Sequence, residues 1–311
     1  MNTQKRRVIA IGFFDGVHLG HGALLETVVR RAKELDAIPT VVSFDTHPSA
    51  VLTHHPVPLI NSNEDRIWLM KEYYHIEEVV LTHFDEQMQH MPWQDYITDY
   101  LVGQLGAVYL IAGSDNRFGD RGEGNAERLQ QKCRELGIGS EIIGMVELDG
   151  VQVHSTLIRD LIARGEMEQA NRFLGHPHVL SHTVTRGKRL GTALGFPTVN
   201  LTFGDQVLVP AYGVYATRVL LEQGAHIAVA NVGVRPTVED GGKVNAEGYI
   251  LDFHGDLYGQ TVRMQFFRHL RGERKFADVE ALTAEVMRNA QQTRDYFEGC
   301  EAPVLVGKNN K

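Results

Sequence analysis

Gly12-Phe13-Phe14-Asp15-Gly16-Val17-His18-Leu19-Gly20-His21 decides how the chain folds, because it sets two histidines three apart in a glycine-rich turn after an apolar run. Val8 to Ile11 read as a buried β-strand, while Leu24, Leu25, Val28, Val29, Ala32 and Leu35 recur at helical spacing. The histidines therefore stand where strand passes into helix, on one side of its first turn. A helix N-terminus carries unpaired N–H groups and about half a positive charge, which favours phosphate. His18 and His21 can aim further donors at the same oxygens, and Gly12, Phe14, Asp15 and Gly20 belong to the same candidate phosphate-binding turn. Zinc is the competing chemistry, and the chain offers no CxxC or HExxH spacing to support it.

Outward from this turn, short apolar strands alternate with amphipathic helices up to about residue 180. Strands are expected over 8–11, 40–44, 78–81, 108–112 and 141–143, and helices over 22–36, 64–74, 93–104, 123–136 and 156–173. That order implies a doubly wound, mostly parallel, Rossmann-like sheet with its ligand at the carboxyl ends of the strands. Three further segments fall at such ends: Phe44-Asp45-Thr46-His47-Pro48, Gly113-Ser114-Asp115-Asn116-Arg117-Phe118-Gly119 and Ser155-Thr156-Leu157-Ile158-Arg159. Ser155 and Thr156 at a helix start, with Arg159 one turn on, suit a second anion such as a leaving pyrophosphate. N-capping alone is the plainer reading of that Ser-Thr pair.

Beyond residue 180 the helical period gives way to strands such as Val214 to Val219, Ile227 to Ala230 and Val262 to Phe266 between Gly, Pro and Asp. An antiparallel β-barrel follows, closed by a helix over Val279 to Phe297. The corner Gly175-His176-Pro177 marks the junction, so the expected domains are 1–178 and 179–302, with a tail over 303–311.

Composition excludes several classes of function. The 311 residues are 43% hydrophobic and 23% charged, ordinary values for a folded protein with two cores. A net charge of −8 gives no basic field for a nucleic-acid backbone. Two cysteines make no disulfide framework, and no apolar run reaches the roughly 18 residues of a membrane span. The polar start leads straight into a strand without a signal-peptide core, so the chain is expected to be cytoplasmic.

Taken together, the segments resemble the bacterial bifunctional riboflavin kinase and FAD synthetase family over nearly the whole chain. To the four segments above, the second half adds Gly195-Phe196-Pro197-Thr198-Val199-Asn200, Asn231-Val232-Gly233-Val234-Arg235-Pro236-Thr237 and the run Glu247 to Gly259. The resemblance implies an N-terminal FMN adenylyltransferase and a C-terminal riboflavin kinase, which together use ATP to turn riboflavin into FMN and FMN into FAD. The matching threonine and asparagine, Thr198 and Asn200, hold the magnesium nucleotide in the family. The matching glutamate, Glu247, is the base for the ribityl hydroxyl. As chemistry, a hydroxyl and an amide oxygen two apart on one strand face suit hydrated Mg²⁺, with Mn²⁺ able to substitute.

The glycine-bearing run with Gly187, Lys188 and Gly191 would come close to ATP phosphates. On the first half, His47, Pro48, Asp115, Asn116 and Phe118 take the places of flavin-side residues, while His18, His21 and Arg159 stabilise charge on the α-phosphate and leaving oxygens. Phosphate nearby would favour charged histidines. His154, Asn116, Thr192 and Gly248-Tyr249 depart from the family pattern, and each leaves the chemical residue beside it in place. The alternative reading is a single-activity nucleotidylyltransferase whose β domain only binds flavin or regulates. Protein partners and self-association stay open.

Overall fold

The computed structural model describes residues 5–184, 198–234, 244–255 and 257–299. The chain divides into two compact units, one holding residues up to 57 together with 66–154, the other holding 58–65 together with residues from 155 on.

The first unit is built on five strands, β1 (Arg7–Ile11), β2 (Ile38–Phe44), β3 (Glu78–Thr82), β4 (Ala107–Gly113) and β5 (Gly139–Ile143). They lie in the order β3-β2-β1-β4-β5, with every neighbouring pair parallel. β1 is central, and Val8, Ile9 and Ala10 are wholly buried, which is why that segment is an unbroken apolar run. The strand order reverses between β1 and β4, so the turn after β1 stands at the switch point of the sheet.

The helices of this half are α1 (Leu19–Leu35), α2 (Pro48–Thr53), α3 (Asn63–Tyr74), α4 (Glu86–Gln89), α5 (Trp93–Asp95) and α6 (Ala126–Leu136). After α5 the backbone runs on as a π-helix over Tyr96–Gln104, where an α-helix is expected from the apolar spacing. Its Tyr96, Ile97 and Leu101 are buried in one apolar cluster with Ile9, Leu110, Phe118 and Leu129.

The second unit carries six antiparallel strands, β8 (His178–Thr183), β9 (Thr198–Thr202), β10 (Gly213–Leu221), β11 (Gly224–Val234), β12 (Val244–Ile250) and β13 (Thr261–Arg271); the small hairpin β6 (Glu147–Leu148) and β7 (Val151–Gln152) precedes them in the chain. Their order is β8-β13-β10-β11-β12-β9, a curled half-barrel. Helices α7 (Ser155–Ala163), α8 (Met167–Leu174) and α9 (Val279–Gly299) belong to it.

The single helix expected over 156–173 is two helices. Gly165 breaks it at φ +77°, a left-handed conformation that side chains other than glycine rarely adopt. The expected boundary at 178/179 falls inside the second unit. Asn171 of α8 explains part of this, since its Nδ2 donates to Phe266 O of β13 at 2.7 Å and its Oδ1 accepts from His178 N at 2.8 Å. Residues 58–65 explain the rest. Leu59 N donates to Gln206 O and Leu208 N to Leu59 O, both at 2.7 Å, while Asn61 Nδ2 donates to Val179 O at 3.0 Å.

Candidate functional site

At the head of α1, His18 is the N-cap and lies just outside the helix. Its Nδ1 accepts the His21 N–H at 3.3 Å, so one of the free helix amides is used within the protein. With Nδ1 as the acceptor, a neutral His18 ring carries its proton on Nε2. The two rings stack at 3.6 Å and 14°. Gly20 permits this, since a Cβ there would lie 3.1 Å from His18 Cε1. Gly12 does the same for Phe14, whose ring edge would be 3.1 Å from an added Cβ.

His21 also meets the Phe14 ring at 5.1 Å, and its buried Nδ1 has no hydrogen-bond partner among the described residues. Burial holds the His21 pKa well below the ordinary histidine value, helped by His18 and by the Arg66 guanidinium. The charged His21 expected from phosphate proximity is therefore disfavoured by the protein's own environment.

Phe14 and Asp15 are buried within the turn, which crosses the left-handed region at Phe14 (φ 59°), Gly16 (φ 78°) and Val17 (φ 44°). His47 caps α2 by accepting from Ser49 N at 3.2 Å, beside Pro48 at the helix start, and its ring meets Phe13 edge-on at 4.5 Å. The structure thus brings the turns after β1 and β2 together at His47. Past β4, Asp115 is exposed, Asn116 is half-buried with its N–H on Gly113 O at 3.1 Å, and Phe118 lies in the apolar core. Ser155 and Thr156 open α7, and Arg159 Nη1 reaches Thr156 Oγ1 at 3.5 Å.

In the second unit, β9 and β12 pair so that Asn200 lies opposite Glu247 and Thr198 opposite Tyr249. Thr198 Oγ1 donates to Glu247 Oε1 at 2.9 Å, and Asn245 Nδ2 donates to Asn200 Oδ1 at 3.2 Å. Thr198 and Glu247 line a cavity of about 810 Å³, together with Asn231 and Tyr249 on the sheet, Arg271 at the end of β13, and Arg274 and Phe276 beyond it. Its size suits a ligand larger than a nucleobase. On α9, the buried Glu285 accepts from Arg288 Nη1 at 2.8 Å and forms ion pairs with Arg271, at 3.2 Å, and with Arg274, while Arg271 Nε donates to Asn289 Oδ1 at 3.2 Å. Gly187, Lys188 and Gly191 lie outside the described residues.

Arg66 escaped the sequence reading although it carried a signal. It stands at the head of a stripe with Leu69, Met70 and Tyr73, the buried face of α3. The cavity residues contributed by 271–276 carried none, being an ordinary charged run until the sheet curls around them.

Two units, one a parallel sheet with a histidine-bearing turn at its switch point, the other a curled antiparallel sheet with a glutamate and a hydroxyl in a cavity, have the outline of a two-site phosphate-transferring enzyme. Residues 1–157 match the FAD synthetase family and residues 174–297 the riboflavin kinase family. The chain belongs to the bifunctional riboflavin kinase/FMN adenylyltransferase family, whose members make FMN and then FAD with ATP. It is 33% identical to the Listeria monocytogenes member over 95% of this chain and 94% of that one. The Pseudomonas fluorescens member is 34% identical over 92% of each chain, and the Escherichia coli K12 member 32% over 94% of each.

A Streptococcus pneumoniae crystal structure described as a macrolide-efflux protein superposes with a TM-score of 0.80 and 28% identity, covering 95% of this chain and 96% of that one. Efflux is said of that protein. Among the described residues here, no helix is long and apolar enough to cross a membrane.

Proposed function

We propose that riboflavin is phosphorylated in the cavity of the second unit with Glu247 as base, and that FMN is adenylylated at the His18/His21 turn of the first. The observation that carries the kinase assignment is the Thr198–Glu247 bond of 2.9 Å inside the cavity. It engages one carboxylate oxygen and leaves Oε2 to accept the ribityl hydroxyl proton as the hydroxyl oxygen attacks the γ-phosphate of ATP and ADP departs. A loose phosphoryl-transfer transition state asks mainly for positioning and a base.

Thr198 gives its proton to Glu247 and so turns its oxygen lone pairs away from that carboxylate, and Asn200 presents an amide oxygen, the acceptor of the Asn245 bond. Hard, neutral oxygens of this kind fit Mg²⁺, with Mn²⁺ as a substitute, and Thr198 and Asn200 would hold it. Bound there, the metal supplies neutralising charge to the nucleotide phosphates. The run with Gly187, Lys188 and Gly191 is assigned to the same phosphates.

At the other site His18 Nε2–H and a neutral His21 act as donors to the α-phosphate as FMN attacks it and pyrophosphate leaves. Gly12, Phe14, Asp15 and Gly20 shape the turn, and His47, Pro48, Asp115, Asn116 and Phe118 form the flavin side, with Phe118 acting through the core. Ser155, Thr156 and Arg159 at the start of α7 form an anion site of their own, assigned to the pyrophosphate. Activity follows the residue ranges 1–178 and 179–302, and use of ATP as co-substrate suits a cytoplasmic enzyme.

Glu247→Gln tests the reading. Loss of a positioned base should slow FMN formation by about 10²–10⁴-fold, with FAD formation from supplied FMN unchanged, both followed by chromatography. Retained riboflavin phosphorylation would remove Glu247 from this role.

A further inference from the structure

Behind the histidine turn lies a buried cation with no counterpart in the assigned chemistry. Arg66 of α3 is 1% exposed. Its Nη1 donates to the Phe13 carbonyl and, at 3.2 Å, to Ser43 Oγ, while Nη2 donates to Phe44 O at 2.9 Å. Ser43 Oγ donates to the same Phe13 carbonyl at 2.9 Å, so two donors hold one acceptor. The guanidinium carbon stands 4.3 Å from the centre of the Phe13 ring, whose edge contact with His47 is described above. One side chain therefore fastens the turn after β1 to the end of β2. Taking a guanidinium out of water is costly, and burial lowers its pKa to about 10, still cationic at neutral pH beside Asp15 and Asp45.

We propose that Arg66 is a positioning residue for adenylyl transfer, holding the Phe13 carbonyl inward so that the Phe14 N–H faces the nucleotide phosphate beside His18 and His21. In a trans peptide the C=O and the following N–H point in opposite directions, and no described peptide bond is cis. Two donors on the Phe13 oxygen thus fix the direction of the Phe14 amide. The hold opposes the turn's own preferences, since Phe14 and the β-branched Val17 both sit at positive φ. A phosphate donor aimed in advance stabilises developing charge without reorganising as the reaction proceeds. Arg66 also faces His21 from α3 and disfavours a second positive charge there.

This inference rests on the His18/His21 turn being the adenylyltransferase site. The test uses the full-length Arg66→Gln, Arg66→Lys, Ser43→Ala and His21→Ala variants, each assayed for FMN-to-FAD and riboflavin-to-FMN conversion across pH. Arg66→Gln should lower kcat/KM for FAD formation by about a hundredfold, as removal of one oriented donor does, with riboflavin phosphorylation unchanged. Its acid limb should move to higher pH, because His21 loses a neighbouring cation. Arg66→Lys should restore that limb and only part of the rate, since an ammonium keeps the charge and loses the planar fork. Ser43→Ala should lower FAD formation by about tenfold, through loss of the second donor to Phe13 O.

An Arg66→Gln enzyme with wild-type FAD formation would overturn the proposal. So would unaltered Ser43→Ala kinetics in the case where both Arg66 variants lose thermal unfolding cooperativity. If His21→Ala makes FAD at the wild-type rate, the site assignment itself fails, whatever Arg66 does.

Discussion

His178 shows how far a single side chain can be bent from its solution behaviour by where the chain places it. It is fully buried on β8, with its ring edge-on to Phe266 at 5.7 Å, and burial pushes its pKa down to about 4, with nearby His176 adding to the effect. The folded unit binds this ring neutral, whereas the unfolded chain takes a proton near the ordinary histidine value. Stability from this group is therefore complete above about pH 6.5 and is lost progressively as pH falls towards 4, by about 3 kcal/mol in all. Urea unfolding of the second unit at pH 7.5 and pH 5 should show the loss, and His178→Leu should flatten it. Equal pH dependence in the variant would place the titration elsewhere. His21 shares the direction of shift, so its titration bears on stability in the same sense, and in the proposed site on rate as well.

Among the elements, the break at Gly165 separates what sequence reveals from what it hides. Apolar spacing runs on from α7 into α8, and the fold shows why glycine stands between them: its φ is +77°, and a Cβ there would lie 3.1 Å from His269 Nδ1 and 3.2 Å from Ala211 Cβ. Gly165→Ala should lower stability by about 1–2 kcal/mol for the left-handed backbone alone, read as a drop in Tm of the second unit. An unshifted Tm would mean that α7 and α8 can fuse. The inner strands β1, β2 and β4 were legible because a sheet covered on both faces writes continuous apolar runs into its central strands, whereas the edge strands β3 and β5 carry only short ones.

The α1 entrance was legible from its glycines and histidines. The capping role of His18 was hidden, because a histidine at that position reads equally as a donor. The π-helix over Tyr96–Gln104 was equally hidden, since its apolar positions satisfy a 3.6 period well enough. Pairing Glu247 with Asn200 across β12 and β9 depends on register, which no local pattern in either strand specifies.

For the molecule as a whole, the composition of the second unit departs most from its sequence outline. Residues 58–65, α7 and α8 all belong to it, although they precede the turn from helical to strand periodicity near residue 180. A fragment of residues 179–311 should therefore be less stable than the same unit in the intact chain. It lacks the Asn171 bonds to β13 and β8 and the backbone bonds of Leu59. Differential scanning calorimetry of that fragment against one beginning at residue 155 separates the two contributions. If both fragments melt with the intact unit, the strand pairings alone carry its stability.

The contribution of residues 58–65 also bears on how such a gene can change. A single break after residue 154 would leave the first unit with all of its residues but strip the second of residues 58–65, so the second unit cannot be gained cleanly by one crossover. Inheritance favours the undivided reading frame, and with it a fixed one-to-one supply of the two catalysts.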